Sequence, residues 1–219
     1  MPDPDLPSCI DHTLLDLEAG PEDLARVCDE ARRYGFKGVC VYPQHVLQTA
    51  RLLTGSTVLT VSVAGFPSGL DSTSVKVDQT AWAVRDGAME IDMVINRLWL
   101  ESRDYRSVLQ DIGAVVAQAF PCSVKVILET GALDRECTIV AAALAKAAGA
   151  AYVKTSTGSG PRGATPEDVA LLRRVVGPDM GIKASGGIRT REQALALIRA
   201  GADRLGTSCS VDLVAGATD

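Results

Sequence analysis

The chain has 219 residues, 47% hydrophobic and 22% charged, with a formal net charge of −5 at pH 7. That balance argues against a general affinity for nucleic acid or for an anionic membrane, and no apolar run is long and uninterrupted enough to span a bilayer. The length allows one sizeable core, toward the small end for an eight-fold α/β barrel, for which roughly 250 residues is typical and about 200 the lower limit.

Short β-branched runs alternate with longer helical patterns along the chain. Strands are predicted at 10–13, 39–42, 58–63, 91–95, 124–128, 152–154, 182–184 and 204–206. Between them, helices are predicted at 21–34, 74–85, 105–119, 135–148, 165–176 and 191–200. The first opens on the acidic Glu22 and Asp23 and stops at Gly35, as the helix dipole and a glycine stop require. The fifth opens on a cap-like Thr165-Pro166-Glu167-Asp168 and ends at Gly177. Strand followed by helix, repeated throughout, means parallel strands with crossover helices. Eight strands favour closure into a (β/α)8 TIM barrel, with the whole chain, 1–219, as a single domain. The rival is an open doubly wound sheet, but no GxGxxG follows the first strand.

The six cysteines, Cys9, Cys28, Cys40, Cys122, Cys137 and Cys209, form no CxxC pair. With only two histidines beside them, neither a metal site nor a disulfide framework is expected. The start of the chain is acidic and proline-rich without a basic, apolar leader, so a reducing cytoplasm is the expected location. His12 and His45 are read as structural or surface histidines.

The lysines are more informative. There are six, and three of them, Lys125, Lys154 and Lys183, sit in the apolar strands 5, 6 and 7. A barrel strand is buried on both faces, so a lysine there is costly unless paired or functional. Arginine stays protonated, whereas a buried lysine can lose its proton and act as a nucleophile. Ammonium groups on neighbouring strands disfavour each other's charge, and burial adds to the effect, which favours an amine reactive toward carbonyls. Asp92 is read as the only acid within a strand core, placed to hold a lysine or relay a proton. The bland alternative is a structural ion-pair network of Lys125, Lys154 and Asp92.

Polar, glycine-rich turns follow the last three strands: Thr155-Ser156-Thr157-Gly158-Ser159-Gly160, Ala184-Ser185-Gly186-Gly187-Ile188-Arg189 and Gly206-Thr207-Ser208-Cys209-Ser210. Barrels often bind phosphate in the loops after strands 7 and 8, where backbone N–H groups and hydroxyls converge.

Several of these stretches, with Ile10-Asp11-His12-Thr13, Gly38-Val39-Cys40-Val41-Tyr42-Pro43, Gly65-Phe66-Pro67 and Glu90-Ile91-Asp92-Met93-Val94-Ile95-Asn96, resemble the deoxyribose-phosphate aldolases. The Lys154-Thr155-Ser156-Thr157-Gly158 and Lys183-Ala184-Ser185-Gly186-Gly187-Ile188-Arg189 pair is the most specific part of the likeness. The resemblance implies a cofactor-free class I aldolase without a metal. Such an enzyme cleaves 2-deoxy-D-ribose 5-phosphate reversibly to acetaldehyde and D-glyceraldehyde 3-phosphate, in deoxyribonucleoside catabolism. It implies Lys154 as the Schiff-base lysine, Lys183 as its neighbour that lowers its pKa or shuttles protons, and Asp92 as the acid/base of the relay. It implies Gly186, Gly187, Ser208 and Thr155 at the substrate or phosphate, and Asp11, Thr13 and Lys125 as supports of the polar centre. Cys40 lies in a matching motif but is read as a small buried apolar residue.

The chain departs from the pattern at Arg97-Leu98-Trp99, expected as a loop that alters the pocket mouth, and at Cys209, where a second serine is common. The tail 217–219 lacks the terminal tyrosine of some relatives. The expected partner is a small sugar phosphate, with a homodimer possible and no interface patch identifiable. Two other readings stand beside this one: a Schiff-base aldolase or transaldolase-like enzyme for another sugar phosphate, and a non-catalytic barrel that binds one.

Overall fold

A computed structural model describes residues 5–215; the tail at 217–219 lies outside the described residues. Eight strands close a parallel barrel in chain order: β1 Ile10–Leu14, β2 Gly38–Val41, β3 Leu59–Ala64, β4 Glu90–Val94, β5 Ser123–Ile127, β6 Tyr152–Lys154, β7 Gly181–Ser185 and β8 Arg204–Thr207. The ring shuts where Ile10, Asp11 and His12 pair with Leu205, Gly206 and Thr207. The expected (β/α)8 barrel is therefore the observed fold, and an open sheet is not.

The helices are α1 Pro21–Tyr34, α2 Val46–Leu52, α3 Thr73–Arg85, α4 Arg97–Glu101, α5 Tyr105–Ala119, α6 Arg135–Ala147, α7 Pro166–Val176, α8 Arg191–Arg199 and α9 Ser210–Ala215. Their starts follow local chemistry. Thr165 Oγ1 accepts from Asp168 N ahead of α7, and Thr190 and Gln193 form a reciprocal capping box at α8. Gly35 ends α1 in the left-handed conformation at φ 71°.

Strand edges differ from expectation by about one residue, because a closed ladder sets them by the neighbours' register and not by local composition. The short helices α2, α4 and α9 were not expected, having too few turns to show a periodicity. One of them overturns an expectation. Arg97-Leu98-Trp99 is not a mouth loop but the start of α4, capped by Asn96 Oδ1, which accepts from Leu98 N at 3.1 Å and Trp99 N at 3.3 Å.

Alternation along each strand divides the barrel into two environments. Outward residues such as Val39, Ile91, Met93, Val126, Val153, Ile182 and Leu205 pack against helix residues that include Leu24, Val108, Ile112, Ala141 and Leu172. Inside, β2 and β3 contribute a separate apolar wedge of Cys40, Val61 and Val63. The other six strands fill the interior with charge. His12 points outward, where Nε2 lies 2.7 Å from Glu30 Oε2 of α1, a structural role.

Candidate active site

Three lysines, one arginine and three carboxylates meet inside the barrel. Asp92 Oδ2 accepts from Lys154 Nζ at 2.9 Å and from Lys183 Nζ at 2.8 Å, while its Oδ1 accepts from Lys125 Nζ at 2.9 Å. Lys183 also donates to Asp11 Oδ2 at 2.6 Å, and Asp11 Oδ1 accepts from Arg204 at 2.7 Å. Arg204 reaches Glu90 at 3.2 and 3.3 Å, and Glu90 Oε2 lies 2.6 Å from Lys125 Nζ, which closes the circuit. The result is a ring, Asp92–Lys183–Asp11–Arg204–Glu90–Lys125, with Lys154 attached to it through Asp92. The register explains the convergence: Asp92 lies opposite Lys125, Lys154 opposite Lys183, and Lys183 opposite Arg204. Beneath, the Tyr152 ring lies 5.9 Å from Lys125 Nζ and 5.7 Å from the Arg204 guanidinium.

This arrangement corrects two expectations. Asp92 is not the only acid in a strand core, since Asp11 and Glu90 are buried in β1 and β4. Nor do the lysines face one another bare, because carboxylates are interleaved among them. Burial opposes the charge of Asp11 and is its largest single influence, but Lys183, Lys125 and Arg204 together outweigh it and hold the carboxyl down at about 2. Asp92 is likewise held well below the usual range against its burial, by Lys125, Lys154 and Lys183. Burial disfavours the ammonium of Lys183, yet Asp11 and Asp92 push its pKa up; for Lys125, Asp92 does so against burial and Lys183.

Above the ring, at the C-terminal ends of the strands, lies a cavity of ≈ 320 Å³. Of the three strand lysines only Lys154 lines it. Lys154 is 3% exposed, whereas Lys125, Lys183, Asp11 and Asp92 are at 0%. Lys154 is the ring's outlet to the cavity and the others are its underlay. Gly206 makes room for this: a Cβ there would stand 2.9 Å from Lys183 Cε.

Thr13, Gly186, Gly187 and Ser208 line the cavity. Gly186 and Gly187 have φ of 87° and 73°, left-handed values that glycine adopts without strain. Thr155 does not line it. Its hydroxyl is buried and ties β6 to β7, donating to Ser185 O at 3.1 Å and accepting from Ser185 N at 3.0 Å. Cys209 lines the cavity, so a thiol stands in the wall where the resemblance expects a hydroxyl. Cys40 sits below in the apolar wedge, its thiol pushed up to about 11 by burial first and by Asp92.

Sequence reasoning missed Arg204 and Glu90 in the ring and Thr157, Ser185, Thr207 and Arg189 in the cavity wall. The signal for the wall was present, since all four belong to the glycine-rich turns. Thr207 Oγ1 donates to Ile188 O at 2.8 Å and accepts from Cys209 N at 3.0 Å, fastening the loops after β7 and β8 to each other. The lining residues include two cations, Lys154 and Arg189, and no carboxylate.

Fold and site together define a barrel enzyme that presents one amine at the floor of a cavity suited to a small anionic substrate. The chain belongs to the DeoC/LacD family of aldolases, whose family model matches residues 8–215. It is 52% identical over 217 residues to a protein of Thermococcus gammatolerans named deoxyribose-phosphate aldolase, covering 97% of this chain and 96% of that one. A Brevibacillus brevis protein of the same name is 49% identical over 208 residues, covering 95% and 94%. Among solved structures, the deoxyribose phosphate aldolase of Aeropyrum pernix, described as a unique tetramer, superposes with a TM-score of 0.88 at 35% identity, over 95% of this chain and 88% of that one.

Proposed function

We propose that this aldolase cleaves 2-deoxy-D-ribose 5-phosphate reversibly to acetaldehyde and D-glyceraldehyde 3-phosphate through a Schiff base on Lys154. The observation that carries the reading is the position of Lys154, the one strand lysine at the cavity floor, bonded to Asp92 at 2.9 Å. Charge count supports it. Four cations (Lys125, Lys154, Lys183, Arg204) face three carboxylates (Asp11, Glu90, Asp92), a surplus of one. When Lys154 gives up its proton, three cations remain against three anions, so the reactive neutral amine leaves the buried ring balanced.

In the reaction, Lys154 Nζ adds to the C1 aldehyde of the open-chain sugar, and the carbinolamine loses water to give an iminium. The C3 hydroxyl proton departs, C3=O forms, and the C2–C3 electron pair moves toward the iminium nitrogen as an enamine. Glyceraldehyde 3-phosphate is released. Protonation of the enamine at C2 and hydrolysis then return acetaldehyde and the free amine. Asp92 touches both Lys154 and Lys183, the position needed to carry protons in the carbinolamine and enamine steps. The backbone amides of Gly186 and Gly187, with Ser208 and Arg189, hold the phosphate. One barrel domain carries the activity, in the cytoplasm and in deoxyribonucleoside catabolism. Among the described residues, no helix is long and apolar enough to cross a membrane.

The test is borohydride trapping. Protein incubated with deoxyribose 5-phosphate, then reduced, should carry its adduct on Lys154 by peptide mass spectrometry, and Lys154→Ala should carry none. An adduct on Lys125 or Lys183 instead would overturn the assignment, and ligand binding without any adduct would favour the non-catalytic barrel.

A further inference from the structure

Glu129 follows β5 and does not line the cavity, yet it bears two costs. It is one of two non-glycine residues with positive φ among those described, at 60°. Its carboxylate is buried, and Oε1 has no hydrogen-bond partner. Gly160 is packed so closely over this carboxylate that any side chain there would strike it. A residue kept merely to end a strand has no need of a buried carboxylate in a left-handed conformation.

What the carboxylate holds is the turn after Lys154's strand. Glu129 Oε2 accepts from Thr157 N at 3.2 Å and from Thr157 Oγ1 at 2.5 Å. The same Thr157 hydroxyl accepts from Ser159 N at 3.0 Å. Thr157, Gly158 and Ser159 form one wall of the cavity, and that wall packs on the glycine loop opposite: a Cβ on Gly186 would lie 3.4 Å from Gly158 Cα and 3.1 Å from Gly163 Cα. The next residue, Thr130, secures the far end of the same loop. Its carbonyl accepts from Arg162 Nη2 at 3.4 Å and its hydroxyl donates to Asp168 Oδ2 at 3.0 Å, while Asp168 pairs with Arg162. Two consecutive residues at the end of β5 thus fix both ends of the loop that follows β6.

We propose that Glu129 is a positioning residue for the phosphate: by orienting the Thr157–Ser159 turn against Gly186, it sets the enzyme's preference for phosphorylated over unphosphorylated substrates. The inference rests on the cavity reading above. Glu129 never meets the substrate, and its carboxylate, turned into the protein behind Thr157, keeps its charge out of the phosphate cavity.

Steady-state kinetics of wild type, Glu129→Ala, Glu129→Gly and Glu129→Gln, each with deoxyribose 5-phosphate and with 2-deoxyribose, test this. In the Ala and Gly variants the ratio of kcat/KM for the two substrates should fall on the order of tenfold, mostly through KM for the phosphorylated one. Glu129→Gln, which keeps an acceptor oxygen, should restore most of the ratio. Thr157→Val, which cuts the link from the other side, should lower the ratio in the same direction and serves if Glu129 variants fold poorly. Equal losses for both substrates would reduce Glu129 to a structural residue and overturn the proposal. So would recovery in Glu129→Gly, which relaxes the backbone but restores no acceptor. Trapping with acetaldehyde separates the two readings. An adduct on wild-type Lys154 with an unmoved ratio refutes the Glu129 role alone, whereas no wild-type adduct refutes the Schiff-base reading beneath it.

Discussion

Replacing Lys183 by methionine removes a cation between two buried carboxylates with little change in volume. Lys183 Nζ lies 2.6 Å from Asp11 Oδ2 and 2.8 Å from Asp92 Oδ2 and is fully buried. Asp11 would keep Arg204, and Asp92 would keep Lys125 and Lys154. Removing one partner of a buried pair costs about 3–5 kcal/mol, within the roughly 5–15 kcal/mol that holds a domain together. For a chain of this size each kcal/mol shifts Tm by about 2–4 °C, so Lys183→Met should melt roughly 6–20 °C lower and remain folded at 25 °C. The catalytic effect has a separate signature. Lys154 and Lys183 share Asp92 Oδ2, and without Lys183 that oxygen's charge falls more heavily on Lys154. The pH profile of imine formation, read as the borohydride-trapping rate with acetaldehyde, should therefore move at least about one unit to the alkaline side. A variant that melts lower but keeps the wild-type profile would show that Lys183 only braces the barrel, and the argument that it tunes the nucleophile would fail.

Stability should be lost in acid over a window set by the ring. Asp11 is held at about 2 against an ordinary value of 3.8, so its contribution, about 2 kcal/mol, is present above the ordinary value and lost as pH falls through 2. Denaturant midpoints that stay flat from pH 5 to pH 2.5 would contradict this. At the other extreme Lys183 and Lys125 are pushed up, so their contribution holds below the ordinary lysine value, about 10.4, and fades above it. Gly206→Ala would place a Cβ 2.9 Å from Lys183 Cε and 3.1 Å from Ser185 Cβ. It should lower kcat roughly tenfold by displacing Lys183, with only a small change in KM.

The parts of the site legible in the sequence were those where one residue was locally out of place. A lysine amid Val124, Val126 and Ile127, or beside Val153, stands out against the cost of its burial. Glycine in Ser185-Gly186-Gly187 marks a turn whatever the fold. Arg204 and Glu90 stand at strand edges, where a charge reads as the end of an element. Only the closed ladder, which brings β8 beside β1 and β7, carries Arg204 inward to Asp11. Glu129 was hidden for a related reason: its partner Thr157 is 28 residues away, and its left-handed backbone leaves no trace in composition.

Closure also explains why the proposed nucleophile is a lysine at the rim of a charged ring instead of a lone buried lysine. A solitary amine in this interior would carry the full cost of desolvation whenever protonated, and nothing nearby would take its proton. The ring keeps Asp11 and Asp92 ionised, and these carboxylates hold Lys183 and Lys125 charged in turn. Among the four cations, the change of state can be confined to the one that faces the cavity. On the Schiff-base proposal, Lys154, the one strand lysine that lines the cavity, balances the charge of the centre by giving up its proton, at the step where a neutral amine is needed, and the cationic iminium that forms next restores the surplus.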